Sequence, residues 1–147
     1  MLVYLDNCCY NRPYDDQSQK RIALETKAVI SILDKIAKGK IALVSSYVLY
    51  AENYKNKDTL RRSAIKNFMD QHSNIYVSDK NRMLIYAQAK QLENYGVHYL
   101  DACHVACTVR ADSDYFLSTD DRLIKALASK LNMITIMNPV DFVTLLE

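Results

Sequence analysis

Glycine and proline are scarce in this chain of 147 residues: each occurs only twice, and tryptophan does not occur at all. This scarcity excludes collagen-like repeats, long flexible linkers and a largely disordered chain. No apolar run approaches the ~20 residues that a membrane-spanning helix needs, and no signal-peptide core follows Met1. We therefore expect a cytoplasmic protein, without a membrane partner, built as a single domain over residues 1–147.

Cysteine is also infrequent, with four residues in two close pairs. Cys8 and Cys9 are adjacent, and Cys103 and Cys107 lie one helical turn apart, which is a poor disulfide framework. A zinc site of Cys103, His104 and Cys107 lacks the C-x-x-C spacing typical of such sites. Reduced, partly buried thiols are the better interpretation. We likewise interpret His104 as a buried hydrogen-bonding residue rather than a ligand.

The formal net charge of +2 is too small to indicate a nucleic-acid-binding protein by itself. The basic residues are nevertheless clustered just after Glu52, at positions where a helix would expose part of a basic face. A solvated helix face is the ordinary explanation of such a cluster, and contact with a polyanion is the functional one. The predicted RNA-binding residues are Lys55, Lys57, Arg61 and Arg62, with Lys66 one turn further.

Short apolar segments alternate with segments of helical periodicity along the whole chain. Short strands without polar alternation, joined by helices, indicate a parallel sheet covered on both faces. Residues 7–16 have the composition of a loop. Besides a helix carrying Asp101, the predicted elements are strands at 2–5, 41–44, 75–77, 115–118 and 133–137, and helices at 17–38, 46–54, 58–71, 79–95, 122–130 and 140–145.

Four carboxylates are expected at one edge of this sheet. Asp6 and Asp120 follow predicted strands, and ligand sites in open α/β sheets lie at the carboxyl ends of strands. Glu52 and Asp101 lie on helices that begin near the same edge. Clustered acids raise one another's pKa unless cations neutralise them, and Mg²⁺ prefers carboxylate and water oxygens. Such an ion activates water for phosphodiester hydrolysis.

Each acid also has a purely structural interpretation. Asp6 could cap the next turn, and Glu52 could pair on a helix surface with Lys55 or Asn56. Asp101 suits the first turn of its helix, where the helix dipole favours an acid. Asp120 or Asp121 could cap the following helix in the same way.

Four segments carry a resemblance to the PIN-domain family of metal-dependent nucleases, in particular the compact bacterial toxins of type II toxin–antitoxin pairs. The segments occur in the family's order and span most of the chain. They are YLDNCCYNRP, SSYVLYAENY, and LDACHVA followed by ADSDYFLSTDD.

The resemblance implies a PIN-like three-layer α/β/α sandwich with a mainly parallel central sheet. It also implies an endoribonuclease in which Asp6, Glu52, Asp101 and Asp120 bind Mg²⁺ or Mn²⁺. The family's products are a 5′-phosphate and a 3′-hydroxyl. Its partners are an RNA substrate, a small antitoxin protein and a second copy of the toxin in a homodimer.

Two details of the family pattern stay open. Its Ser/Thr-x-Asp motif fits both Ser118-Thr119-Asp120 and Thr119-Asp120-Asp121, so Asp121 is the alternate for Asp120. Many relatives have Thr or Ser where this chain has Asn7, although an amide there can still support the metal ligands. Ser45 and Ser118 are the other predicted supporting residues, and Ser118 is expected to hydrogen-bond a carboxylate or a metal-bound water.

Two other functions compete with the nuclease. A catalytically inactive PIN-like module could bind RNA or protein, and the absence of metal affinity would favour it. A metal-dependent phosphatase usually has an Asp-x-Asp motif at the first strand end. Here Asp6-Asn7-Cys8 lacks the second acid.

Overall fold

A computed structural model describes residues 1–147 and contains a five-stranded sheet whose neighbouring strands are all parallel. The strand order is β3-β2-β1-β4-β5, which places the first strand in the middle. The parallel sheet and the three-layer α/β/α arrangement expected from the sequence are confirmed. The strands are β1 (Leu2–Leu5), β2 (Ala42–Ser46), β3 (Ser73–Val77), β4 (Tyr115–Leu117) and β5 (Thr135–Met137).

Eight helices connect and flank the strands, and none of them has the length and apolarity that crossing a bilayer requires. Every helix predicted from periodicity is present, with ends that shift by a few residues. The helices are α1 (Asn7–Asn11), α2 (Lys20–Ala37), α3 (Tyr47–Tyr54), α4 (Thr59–His72), α5 (Arg82–Glu93), α6 (Tyr99–Arg110), α7 (Asp121–Leu127) and α8 (Pro139–Leu146).

The prediction of a loop at residues 7–16 is wrong for most of its length. Asn7–Asn11 forms α1, and Arg12–Tyr14 continues as a short 3₁₀ helix. The turn-forming composition that suggested a loop serves the ends of these short helices instead. Asp6 caps α1, and Pro13 occupies the start of the 3₁₀ helix, where its missing N–H costs no hydrogen bond.

Side-chain caps explain where several helices begin. Ser46 accepts a hydrogen bond from the backbone N–H of Leu49 at the start of α3, and Asp58 caps α4 in the same way. Ser46 is therefore the cap of α3. Gly39 follows the end of α2 with a φ of 73°, a left-handed conformation that costs glycine little.

The core is one cluster of 31 buried residues around β1, β2 and β4. The helical periodicity of residues 17–38 includes Leu24, yet Leu24 is 53% exposed, whereas Glu25 on the same helix is buried. Burial of a carboxylate among core residues requires charged or hydrogen-bonding partners, and Glu25 has several. All four cysteines are unpaired, as predicted.

The strand order creates a topological switch point between β1 and β4. From β1 the chain moves outward through β2 and β3 on one side, and later through β4 and β5 on the other. A crevice opens at the carboxyl ends of the two strands at such a point, and ligands of open α/β sheets bind there. Asp6 follows β1 and Ser118 follows β4, so both lie at this crevice.

Candidate active site

Asp6 is held firmly at the carboxyl end of β1. Its backbone N–H donates to the carbonyl oxygen of Leu117 at the end of β4, over 2.9 Å. The backbone N–H of Asn7 donates to Asp6 Oδ1 (2.8 Å), and the Ser118 hydroxyl donates to Asp6 Oδ2 (2.9 Å). The side chain is buried but forms no ion pair with a lysine or arginine. Asp6 is thus an oriented carboxylate whose negative charge is balanced by no basic side chain.

The three predicted supporting residues lie in different surroundings. Ser118 is fully buried and links Asp6 to the next acid, because its oxygen also accepts from the backbone N–H of Asp120 (3.1 Å). The side-chain oxygen of Asn7 is buried without a hydrogen-bond partner. The hydroxyl of Ser45 in β2 is buried without a partner as well.

Glu52 lies close to Asp6 and contacts a histidine, His104. Glu52 Oε1 lies 2.6 Å from His104 Nε2, and one possible ligand atom each from Asp6, Glu52 and His104 lies within 4.8 Å of the others. His104 is completely buried, so the interpretation of it as a hydrogen-bonding residue is correct. Its partner Glu52 was not foreseen. The surface pairing of Glu52 with Lys55 or Asn56 does not occur.

Asp101 lies in the first turn of α6 and is half-buried. The pKa of Asp101 is raised to about 6, first by burial and then by the negative charges of Asp6 and Asp120, while positive charge on His104 and His98 opposes the rise. Like Asp6, it forms no ion pair. Burial and neighbouring acids both disfavour the ionised form of Asp101, as expected for a carboxylate beside a cation site.

This raised pKa predicts a gain in stability when Asp101 is replaced by Asn in metal-free protein. An acid whose pKa is raised by folding binds its proton more tightly in the folded state, so stability falls as pH rises from about 4 to 6. Above that window the variant should be more stable by about 1 to 2 kcal/mol, a range reduced for solvent screening. Urea unfolding in EDTA at pH 4 and pH 8 measures the difference. Equal free energies of unfolding at pH 8 would contradict this cost of ionising Asp101 in the folded state.

Asp120 and Asp121 are adjacent but have different roles. Asp120 caps α7 by accepting from the backbone N–H groups of Arg122 and Leu123, and it lines a small cleft together with Asp101. Asp121 instead pairs with Arg21 over 2.7 and 2.9 Å, and this pairing lowers its pKa. Asp120 therefore lies beside the acidic cluster, whereas Asp121 belongs to a surface ion pair. Asp120 is nevertheless outside the tight group of Asp6, Glu52 and His104.

Two side chains of the predicted basic face are free of salt bridges, and two donate hydrogen bonds to backbone carbonyl oxygens. Lys55 and Lys57 are exposed and form no salt bridge. Arg61 donates to the carbonyl oxygen of Tyr14 (2.9 Å) and stacks over its ring, and Arg62 donates to the carbonyl oxygen of Asn56 (3.1 Å). The two arginines hold the chain around α4, and the two lysines remain available for a polyanion.

The donor set fits a hard divalent cation. The carboxylates of Asp6 and Glu52 lie together with His104, Asp101 is near enough to Asp6 and Asp120 for their charges to raise its pKa, and no lysine or arginine pairs with Asp6, Asp101 or Asp120. Mg²⁺ and Mn²⁺ prefer such oxygen ligands, whereas zinc sites are typically built from cysteine and histidine. Cys103 and Cys107 are buried on α6, and their sulfur atoms do not join the group.

No protein-family model and no curated protein sequence matches the chain. Solved structures do match it over nearly the whole length. VapBC2 from Rickettsia felis, bound to a DNA fragment from its promoter, is similar with a TM-score of 0.59 and 12% identity over 94% of this chain and 98% of that one.

Two further solved structures are also similar to the chain over nearly its whole length. FitAcB from Neisseria gonorrhoeae has a TM-score of 0.57 and 15% identity over 93% of this chain and 97% of that one. FitAB bound to an IR36 DNA fragment has a TM-score of 0.57 and 16% identity over 94% and 95%. The matched proteins are PIN-domain toxins of toxin–antitoxin complexes. The chain therefore has the same fold as these structures, in agreement with the PIN-like sandwich that the sequence resemblance implied.

Proposed function

We propose that this protein is a metal-dependent endoribonuclease and the toxin of a type II toxin–antitoxin pair. The observation that carries the proposal is the meeting of oriented, unpaired carboxylates at the switch point of a PIN-fold sheet. Asp6 is buried and Asp101 half-buried, and neither has a lysine or arginine partner. Keeping such groups ionised near neutral pH is unfavourable unless a cation joins them.

Asp6, Glu52, Asp101 and Asp120 would hold the Mg²⁺ or Mn²⁺. When bound, this ion supplies an activated water and neutralises charge that develops on a phosphodiester. Ser118 orients the Asp6 carboxylate through its 2.9 Å hydrogen bond. Asp101 would join the site as an ionised ligand, because a bound cation favours the charged form of a carboxylate.

RNA is the proposed substrate because the exposed basic residues lie just beyond α3, the helix that carries Glu52. Lys55 and Lys57 extend from the end of α3 without an ion-pair partner, and phosphate contacts of this kind position a nucleic acid without reading its sequence. A small antitoxin partner is proposed from the likeness to the VapBC2 and FitAB complexes, and a homodimer from the resemblance of the sequence to the toxin family.

Cleavage of labelled structured and unstructured RNA by the purified protein tests the proposal. We expect cutting with Mg²⁺ or Mn²⁺ and none with EDTA, because the carboxylates alone cannot activate water sufficiently. The folded state is checked by circular dichroism in each condition. Folded protein, free of bound antitoxin, that cuts no RNA with either metal would contradict the proposal and favour the inactive RNA- or protein-binding module.

A further inference from the structure

A chain of three hydrogen bonds, two buried and the last part-buried, leads from the start of α3 through β1 and α6 to Glu52. Ser46 Oγ lies 2.7 Å from the Tyr4 hydroxyl, which lies 2.7 Å from His104 Nδ1, and His104 Nε2 lies 2.6 Å from Glu52 Oε1. Ser46, Tyr4 and His104 are each fully buried. Only the last member, Glu52, reaches the surface, with 28% of its side chain exposed.

The donors of this chain can be ordered in one direction. The backbone N–H of Leu49 donates to Ser46 Oγ (3.1 Å), so the serine hydroxyl is free to donate to Tyr4. The Tyr4 hydroxyl then donates to His104 Nδ1, and the proton on His104 Nε2 is donated to Glu52. An ionised carboxylate only accepts hydrogen bonds, so this order satisfies every polar group with a neutral imidazole. An imidazolium carries the same Nε2 proton, so the last bond is present in both charge states.

The rings that form the chain have little freedom to move. Tyr4 stacks on Phe116 of β4 with ring centroids 5.6 Å apart, and it meets the His104 ring edge-on at 5.8 Å. Interior packing at this density leaves no alternative rotamer without displacing core residues. A glutamate on a helix surface loses rotamer freedom when it is fixed. Here the chain of hydrogen bonds fixes the Glu52 side chain through its contact with a single carboxylate oxygen, Oε1.

We infer that His104 is a positioning residue for Glu52: backed by Tyr4 and Ser46, it holds Oε1 and leaves Oε2 of the same carboxylate for the cation. The inference rests on the proposed function for the role of Glu52 as a ligand. The hydrogen-bond chain also assigns His104 its tautomer, since Nε2 must carry the proton. Histidines elsewhere bind metals directly, but both ring nitrogens of His104 already have partners.

Two measurements test the inference, and the first needs no metal. Long-range ¹H–¹⁵N spectra of the ring nitrogens report the histidine tautomer in the metal-free protein at pH 8. The chain has three histidines, and the spectrum of His104→Gln identifies the signals of His104 by their loss. We expect the Nε2-protonated form. A proton on Nδ1 alone would overturn the inference.

The second measurement is Mn²⁺ affinity, followed by the electron paramagnetic resonance of free Mn²⁺. Loss of a group that orients a metal ligand typically costs 10- to 100-fold in affinity, so His104→Leu and Tyr4→Phe should each weaken binding by about 10-fold or more. His104→Gln keeps an N–H donor toward Glu52 and should recover most of the affinity. Thr108→Val is the matched control, because Thr108 is buried on the same helix and bonds only the His104 carbonyl oxygen. It should bind Mn²⁺ as the unsubstituted protein does.

The outcomes separate the two proposals. Unchanged Mn²⁺ affinity in folded His104→Leu would overturn the positioning role while leaving the nuclease intact. If the unsubstituted protein neither binds Mn²⁺ nor cuts RNA, the proposed function fails, and the orientation of Glu52 is decided without metal. In that case the tautomer and a change in the ¹³C shift of the Glu52 carboxyl carbon in His104→Leu support the inference, and an unchanged shift contradicts it.

Discussion

Replacement of Asp101 by Asn is expected to lower the rate of Mg²⁺-dependent RNA cleavage by about 100-fold or more. Removal of groups that merely orient metal ligands costs 10- to 100-fold, so loss of a ligand itself should cost at least the upper figure. The amide keeps the size of the carboxylate and removes its charge. Because burial and the neighbouring acids disfavour the ionised form of Asp101, the fold should gain stability while activity is lost. Asp6→Asn should have an equal effect on cleavage.

Asp120 and Asp121 provide a matched pair of controls for this experiment. Asn is as good an N-cap as Asp, so Asp120→Asn should keep α7 in place and lower cleavage through the lost charge alone. Asp121→Asn removes only the exposed ion pair with Arg21, and surface pairs of this kind contribute about 0–1 kcal/mol. Its cleavage rate should stay within about twofold of the unsubstituted protein. Loss of cleavage in Asp121→Asn with retention in Asp120→Asn would reassign the fourth acid to Asp121. Retained cleavage in Asp6→Asn and Asp101→Asn would contradict the site.

Much of the fold was predictable because its signals are local. Both patterns involve residues that are close together in the sequence: the apolar runs of buried parallel strands and the 3.6-residue periodicity of helices. The same local patterns placed Asp6 and Asp120 after predicted strands, at the carboxyl edge of the sheet. Residues 7–16 were misread because Asn, Pro and Asp serve helix ends as well as loops. Composition alone does not separate the two uses at this length.

The contacts of the site were less accessible to sequence reasoning. His104 lies three residues after Asp101, and this spacing placed both residues on one helix face. Its partner Glu52 is 52 residues away, and the partner Tyr4 is 100 residues away. Those pairings depend on how α3 and α6 pack against β1 and β2, which no local pattern records. Helix faces can be read from a sequence, but the choice of partner between helices cannot.

The burial of Glu25 is not what helical periodicity predicts for a carboxylate, although its position in the sequence carries a signal. It occupies a position on the apolar stripe of α2, three residues from Ile22 and four from Val29. A carboxylate on such a stripe indicates either a helix face that is rotated outward or a buried charge with partners. The structure has the second arrangement, because three polar residues from separate segments surround Glu25.

Replacement of Glu25 by Gln is expected to destabilise the protein by about 3 kcal/mol. Arg12 binds Glu25 Oε1 through two nitrogens at 2.8 and 2.9 Å, and Asn138 Nδ2 donates to Oε2 over 2.6 Å. Only 2% of the Glu25 side chain is exposed. Removing one partner of a buried ion pair costs about 3–5 kcal/mol, because the remaining charge loses its compensation. Arg12 keeps Asp15 and some solvent contact, which favours the lower figure.

Urea unfolding of Glu25→Gln measures this loss of stability, and two further variants serve as comparisons. Asp34→Asn removes an acid from the same helix, but Asp34 and its partner Lys38 are both more than half exposed, so the expected loss is below about 1 kcal/mol. Replacing Glu25 by Leu and Arg12 by Met together should recover much of the stability, since an apolar pair needs no compensation. Arg21 contacts both Glu25 and the Thr119 carbonyl oxygen, so the same network also reaches the β4–α7 connection that carries Asp120. If Glu25→Gln lowers the free energy of unfolding no more than Asp34→Asn does, the expected contribution of Glu25 to stability is contradicted.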